Sequence, residues 1–187
     1  RMIAREVGIS YFPVDALVSS LAKLHPELGI THLTSNPSEV SRVLSPILVE
    51  LHSHLNYERT ATVLDAYQCF PEDLNAAARA KGTTVASGSF VRPEGTEDAE
   101  DALRVIYVGY PHALPQEKVA RIRRHAGPRD WAEEVDDALL TRIVERYIEE
   151  SRAIAEQCAE LSWEFIDTGG DFDGAVNGAV ERHTGLR

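Results

Sequence analysis

The sequence predicts an α/β fold: a parallel sheet with helices on both faces, in three layers. Three observations predict it. Short apolar runs of strand length, at 9–14, 60–66, 103–109 and 163–166, alternate with longer segments of helical periodicity. Those runs end in Asp15, Asp65, Gly109-Tyr110 and, just beyond the last, Thr168-Gly169. Four segments therefore converge on the carboxyl edge of the sheet, where ligands of parallel sheets gather. Finally, an acidic chain concentrates its positive charge just past the third run. Residues 115–131 hold five cations (Lys118, Arg121, Arg123, Arg124 and Arg129) against Glu117 and Asp130, whereas the whole chain has a formal charge of -11.

In chain order, residues 1–7 carry Met2, Ile3 and Val7 on an apolar stripe ended by Gly8. With no capping residue ahead of them, they read as the back half of a helix. The run 9–14 is a strand that delivers Asp15. A helix follows with Leu17, Leu21 and Leu24 at helical spacing, closed at His25-Pro26 because the residue before proline avoids helical backbone. Residues 30–36 read as a loop. From Ser38, the apolar positions Val40, Val43, Leu44, Ile47, Leu48, Leu51 and Leu55 recur at three- and four-residue steps, an amphipathic helix. Pro46 leaves two alternatives inside it: a kink, or a fresh helix capped by Ser45 with the proline in its first turn.

The next strand, 60–66, ends in Asp65. A helix begins at Phe70-Pro71, runs to about Ala80 and stops at Gly82. Residues 87–101 (SGSFVRPEGTEDAED) have the composition of a flexible surface insertion. The strand 103–109 then leads through a proline turn into the basic helix. Asp136 or Asp137 opens the longest helix, whose buried face is Leu140, Ile143, Val144, Tyr147, Ile154, Cys158 and Leu161. A last strand over 163–166 precedes a final helix capped by Asp171, with Phe172, Ala175, Val176, Ala179 and Val180 on one side.

Length and charge narrow the function classes. At 187 residues and 20.7 kDa, a single domain spanning 1–187 is expected. No run approaches the roughly 20 apolar residues of a membrane span, and the first ten do not form a secretory signal. Cys69 and Cys158 are far apart and read as buried small residues, so a cytoplasmic setting is expected. Overall acidity argues against nucleic acid as partner. The basic segment instead suggests a bound anion, with phosphate foremost.

The order strand–Asp15–helix, strand–Asp65, strand–Gly109-Tyr110-Pro111, arginine-bearing helix, long helix, then FIDTGGDF at 165–172 and a closing helix resembles the small P-loop kinases. These are the nucleotide-, nucleoside- and shikimate-kinase-like phosphotransferases, and the resemblance spans nearly the whole chain as topology and local pattern. It implies a P-loop NTPase topology, ATP and Mg2+ as cofactors, and transfer of the γ-phosphate to the hydroxyl or phosphate of a small-molecule acceptor. One departure stands out: G-x-x-x-x-G-K-[ST] occurs nowhere. Lys81-Gly82-Thr83-Thr84 has some of its letters in the wrong order and reads as a helix-to-strand turn. In the family that loop lies between the first strand and first helix. The expectation is therefore that both the first strand and the loop precede residue 1. The alternative is a tag remnant ahead of a genuine start at Met2, and a protein that lacks the loop.

The resemblance also assigns roles, each beside a structural alternative. Asp15 would contact the acceptor hydroxyl or act as its base; it would equally serve as a helix cap. Asp65 would orient the magnesium shell, or simply end a strand. Residues 115–135 would form a lid, with Arg121, Arg124 and Arg129 neutralising charge on the transferring phosphate; the alternative is a solvated face paired to Glu117, Glu133 and Glu134. Thr168, Gly169 and Gly170 would border the adenine, or merely reverse the chain. Glu39 and Arg42 would line the acceptor pocket, or pair on the helix surface. His52 and His54, one residue apart on a helix, diverge and do not suggest a metal site. A second reading, from a different class, is a non-catalytic relative that serves as a nucleotide-binding or protein-interaction module.

Overall fold

A computed structural model describes residues 10–28, 36–57, 62–66, 69–87, 102–127 and 130–184. The chain is mixed α/β and mostly helical, with short strands paired two by two and always in parallel. It divides into two compact units: Arg1–Val105 with Val180–Arg187, and Ile106–Ala179.

In the first unit, β1 (Ser10–Pro13) pairs in parallel with β2 (Thr62–Asp65), with Pro13 opposite Asp65. β1 runs directly into α1 (Val14–Leu24). Its buried face is Val14 and Val18, one turn apart, whereas Leu24 is 75% exposed, so the expected leucine stripe turns away at its last member. The helix ends where His25-Pro26 requires: the His25 N–H donates to Leu21 O at 2.8 Å and a short 3-10 turn, Pro26–Leu28, follows.

α2 (Pro37–Tyr57) is one continuous helix with Pro46 inside, so Ser45 does not cap a new one. Asn36 starts it by accepting the Ser38 N–H on its side-chain oxygen at 3.1 Å. The buried positions are Val40, Ser41, Leu44, Ser45, Leu48 and Val49. Val43, Ile47, Leu51 and Leu55 lie only half-buried beside them, so the buried face is rotated from the centre of the apolar pattern. The two serines allow a close approach to α3 (Pro71–Lys81), which packs on this face. Their hydroxyls are used: the Phe70 N–H donates to Ser41 Oγ at 2.7 Å, and Ser45 Oγ lies 3.4 Å from Cys69 Sγ. On the surface, Lys81 pairs with Glu50 at 2.5 Å and holds that carboxyl below its usual range.

α3 starts at Pro71 and ends at Gly82, whose φ of 71° is the left-handed backbone that glycine adopts without penalty. The Thr83 N–H then donates back to Ala78 O at 2.9 Å, closing the cap. Lys81-Gly82-Thr83-Thr84 is thus the helix-to-strand turn expected of it. It leads into β3 (Val85–Ser87), which pairs in parallel with β4 (Leu103–Val105). Residues 88–101 of the expected insertion lie outside the described residues, as do residues 1–9.

The expected strand over 103–109 is two short strands, β4 and β5 (Tyr107–Gly109). They have different partners: β5 pairs in parallel with β6 (Phe165–Asp167) in the second unit, Gly109 opposite Asp167. Ile106, between them, belongs to neither ladder. One apolar run carries no mark of such a change of partner.

The second unit is built on α4 (Pro115–His125), a 3-10 turn (Trp131–Glu134) and α5 (Asp137–Leu161), with β5 and β6 against α5. Asp136 caps α5 by accepting the Leu139 N–H at 2.7 Å. Leu140, Val144 and Ile148 form the core of the unit, with Tyr110, Ala113, Val119, Ile122 and Val135 packed around them. Each such buried aliphatic side chain is worth about 1.5–3 kcal/mol. The fully buried Cys158 thiol is pushed up to about 12 by burial, which makes it a packing residue rather than a nucleophile. α6 (Phe172–Thr184) closes the chain, started by Asp171 Oδ1, which accepts the Gly174 N–H at 3.0 Å. Of its expected stripe Ala179 is buried, but Phe172 is 52% exposed. No helix among the described residues is long and apolar enough to cross a membrane.

Candidate functional site

The second unit brings the expected arginine helix and the expected glycine loop into direct contact. Both meet at the carboxyl edge of β5 and β6. The edge is drawn tight first by Gly109. A Cβ there would stand 2.8 Å from Phe165 Cζ and 2.8 Å from Ser151 Oγ, so only glycine lets β5 lie this close to β6 and α5. Gly109 O accepts two hydrogen bonds from Thr168, from its N–H at 2.7 Å and from its Oγ1 at 2.9 Å. Thr168 is 3% exposed, so its hydroxyl is committed to the fold and what it turns outward is the loop behind it. That loop is shaped by Asp167, whose Oδ1 accepts the Gly169 N–H at 2.8 Å.

Arg121 reaches this loop from α4. Its Nη1 donates to Gly169 O at 3.1 Å and to Gly170 O at 2.7 Å. One helical turn earlier, Lys118 Nζ sits 3.9 Å from the centre of the Tyr110 ring, a cation–π contact. Burial, and then the neighbouring Arg121 charge, hold the Lys118 ammonium below its usual pKa. Among the described residues neither cation is paired with a carboxylate. The Gly169 and Gly170 carbonyls offer Arg121 only partial charge. Two cations one turn apart on α4 thus lie beside a loop that is open at Gly170: among the described residues, no atom other than those of its chain neighbours comes within 4 Å of where a Gly170 side chain would start. A bound polyanion would relieve the Lys118–Arg121 repulsion.

The wall behind this site is polar and half-buried. Tyr110 ends the Gly109-Tyr110-Pro111 turn, where the Ala113 N–H donates to Tyr110 O at 3.2 Å and Arg152 Nε donates to Pro111 O at 2.9 Å. Burial, then Tyr147 and Glu150, raise the Tyr110 phenol above its ordinary pKa, so it is a neutral hydrogen-bonding group at physiological pH. Glu150 pairs with Arg146 one turn before it at 3.2 Å. Burial pushes the Glu150 carboxyl up to about 7, against the pull of Arg146.

The remaining expected residues are distributed as follows. Arg124 is exposed on α4, and Arg129 lies outside the described residues. Asp15 and Asp65 belong to the first unit, where both come at the carboxyl edge of the β1–β2 pair: Asp65 is the last residue of β2, and Asp15 follows its partner Pro13 by two. Pro13, not Asp15, occupies the cap position of α1, and Asp15 falls in the first turn of the helix. Arg42 folds back on its own helix, its Nε donating to Ser38 O at 3.2 Å. Among the described residues no group of three or more His, Cys, Asp or Glu is placed to hold a metal ion.

Three features were missed in the sequence. Lys118 over Tyr110 requires knowing that the turn after β5 folds onto α4. Glu150 left a usable signal: it interrupts the stripe Ile143, Tyr147, Ile154 at helical spacing, the mark of a buried carboxyl. Arg123, one of the five clustered cations, makes an extensive hydrogen-bond set within the protein. Compared with family models, curated proteins and solved structures, the chain matches none.

Proposed function

We propose that this protein is an ATP-dependent small-molecule phosphotransferase of P-loop NTPase topology, built as a three-layer sandwich. One observation carries the proposal: Arg121 binds the Gly169–Gly170 loop at the carboxyl edge of a parallel strand pair, Lys118 lies one helical turn before it over the Tyr110 ring, and among the described residues neither is paired with a carboxylate. Fixed cations facing an open backbone loop suit the triphosphate, and small loop residues suit close approach of the base. In this reading Lys118 and Arg121 bind and orient the phosphates, with Arg124 and Arg129 contributing charge from the rest of the 115–135 segment. Thr168 holds the loop rather than touching ligand. Asp15 orients the acceptor and takes its proton. Arg42, once released from Ser38, is an acceptor contact.

Mg2+ would travel with ATP and keep phosphate and water oxygens as most of its ligands, and in this reading Asp65, the last residue of β2, would orient its water shell. Bound there, it supplies neutralisation of phosphate charge. A cytoplasmic setting accords with a nucleotide substrate.

The test is transfer of labelled phosphate from ATP to a panel of nucleosides, nucleotides and sugars, with Asp15→Asn and Lys118→Gln as variants. A labelled product that both variants diminish supports the enzyme. ATP binding without transfer to any acceptor would favour the nucleotide-binding module, and absence of ATP binding at millimolar concentration would exclude both the enzyme and that module, leaving only a protein-interaction role.

A further inference from the structure

Arg123 leaves α4 on the side away from Arg121, because residues two apart on a helix are separated by about 200°. Its guanidinium is used entirely within the protein. Nε and Nη2 donate to Asp137 Oδ1 at 2.9 and 2.7 Å, Nη2 donates to Val135 O at 2.7 Å, and Nη1 donates to Ala132 O. The acceptors lie on the 3-10 turn, on the residue that follows it and on the first turn of α5. α4 is thus fixed along both sides: Arg123 binds it to the start of α5, and Arg121 binds it to the glycine loop. The Arg123–Asp137 ion pair by itself contributes little, since Asp137 is 80% exposed. A planar fork spread over three separate acceptors confers geometry that a lysine cannot reproduce.

We propose that Arg123 is a positioning residue for the anion site. By locking α4 to Ala132, Val135 and Asp137, it holds Lys118 and Arg121 in front of the Gly169–Gly170 loop. The proposal rests on reading those two cations as phosphate ligands. The competing role, Arg123 as a phosphate ligand itself, makes the opposite prediction at Asp137. Removing a carboxylate beside a ligand arginine strengthens anion binding, whereas removing it from a lock weakens binding.

The experiment measures tripolyphosphate affinity by calorimetry for the wild-type protein, Arg123→Lys, Asp137→Asn, Asp137→Glu and the double variant Arg123→Lys/Asp137→Asn. Amide hydrogen exchange over 130–137 is followed in parallel. Arg123→Lys, with its charge unchanged, is expected to bind about tenfold more weakly, the scale of one charge-assisted hydrogen bond. Asp137→Asn should weaken binding severalfold despite deleting a negative charge, and Asp137→Glu should restore it. The double variant should be no weaker than the weaker single one, and exchange over 130–137 should quicken in both single variants. Tighter or unchanged binding in Asp137→Asn overturns the positioning role while leaving the phosphate site standing. If the wild-type protein does not bind tripolyphosphate, the phosphate site falls, and the positioning role falls with it; faster exchange would then report a purely structural clamp. Because the two single variants disrupt one lock from opposite ends, misfolding of one leaves the other decisive.

Discussion

Replacing Glu150 by glutamine should stabilise the protein at alkaline pH and leave it unchanged at acid pH. In the fold, burial lifts this carboxyl from 4.5 to about 7, with Arg146 pulling the other way. Between those two values the folded chain binds a proton that the unfolded chain has released. Stability from this group therefore falls as pH rises from about 4.5 to about 7, and the penalty stays constant above that. Each pH unit of displacement is worth about 1.4 kcal/mol, which sets a ceiling of about 3.5 kcal/mol. Glu150 is 13% exposed beside Arg146, and residual solvent contact reduces the expectation to about 2 kcal/mol. Glutamine has the shape of the protonated acid and does not titrate. The groups facing this position are Arg146 and Tyr110, whose phenol burial keeps neutral. The assay is thermal unfolding of both proteins at pH 3.5 and pH 8. Equal midpoints are expected at pH 3.5, below the unfolded value, and a midpoint about 4–8 °C higher for Glu150→Gln at pH 8. A variant less stable than wild type at pH 8 would refute the reasoning, since it would mean that the ionised Glu150–Arg146 pair stabilises the fold.

Other substitutions test local arguments by urea denaturation. Gly109→Ala forces a methyl to within 2.8 Å of Phe165 and Ser151 and should cost about 1–3 kcal/mol. Gly82→Ala meets nothing within 4 Å among the described residues, so its cost of about 1 kcal/mol should come from backbone alone and match that of Gly82→Ser. Ser41→Ala strips the acceptor from the buried Phe70 N–H and should cost about 1–3 kcal/mol, more than a surface serine such as Ser20.

What could be read in the sequence was local. Asp136 and Asp171 act as caps, Gly82 as a left-handed terminator and His25-Pro26 as a stop, because each effect is decided within one helical turn. The periodic stretches became helices for the same reason. Which side of a helix is buried is decided by its partner, so Ser41 and Ser45 outrank Val43 and Ile47 on α2, and Leu24 and Phe172 end up exposed. The change of partner at Ile106 was illegible because both halves of 103–109 are equally apolar. At the candidate site, charge clustering identified the helix and the glycines identified the loop. The contact between them, through Arg121 and the Gly169 and Gly170 carbonyls, joins residues 48 and 49 positions apart in the chain.

The central claim is that Lys118 and Arg121 exist to meet phosphate charge, and calorimetric titration of the protein with ATP at 50 mM and 300 mM salt tests it most directly. Saturable binding is expected, weakened by added salt and weakened further in Lys118→Gln, a variant that spares the Arg121 contacts to the loop. Binding indifferent to both salt and Lys118, or no binding at millimolar ATP, would contradict it.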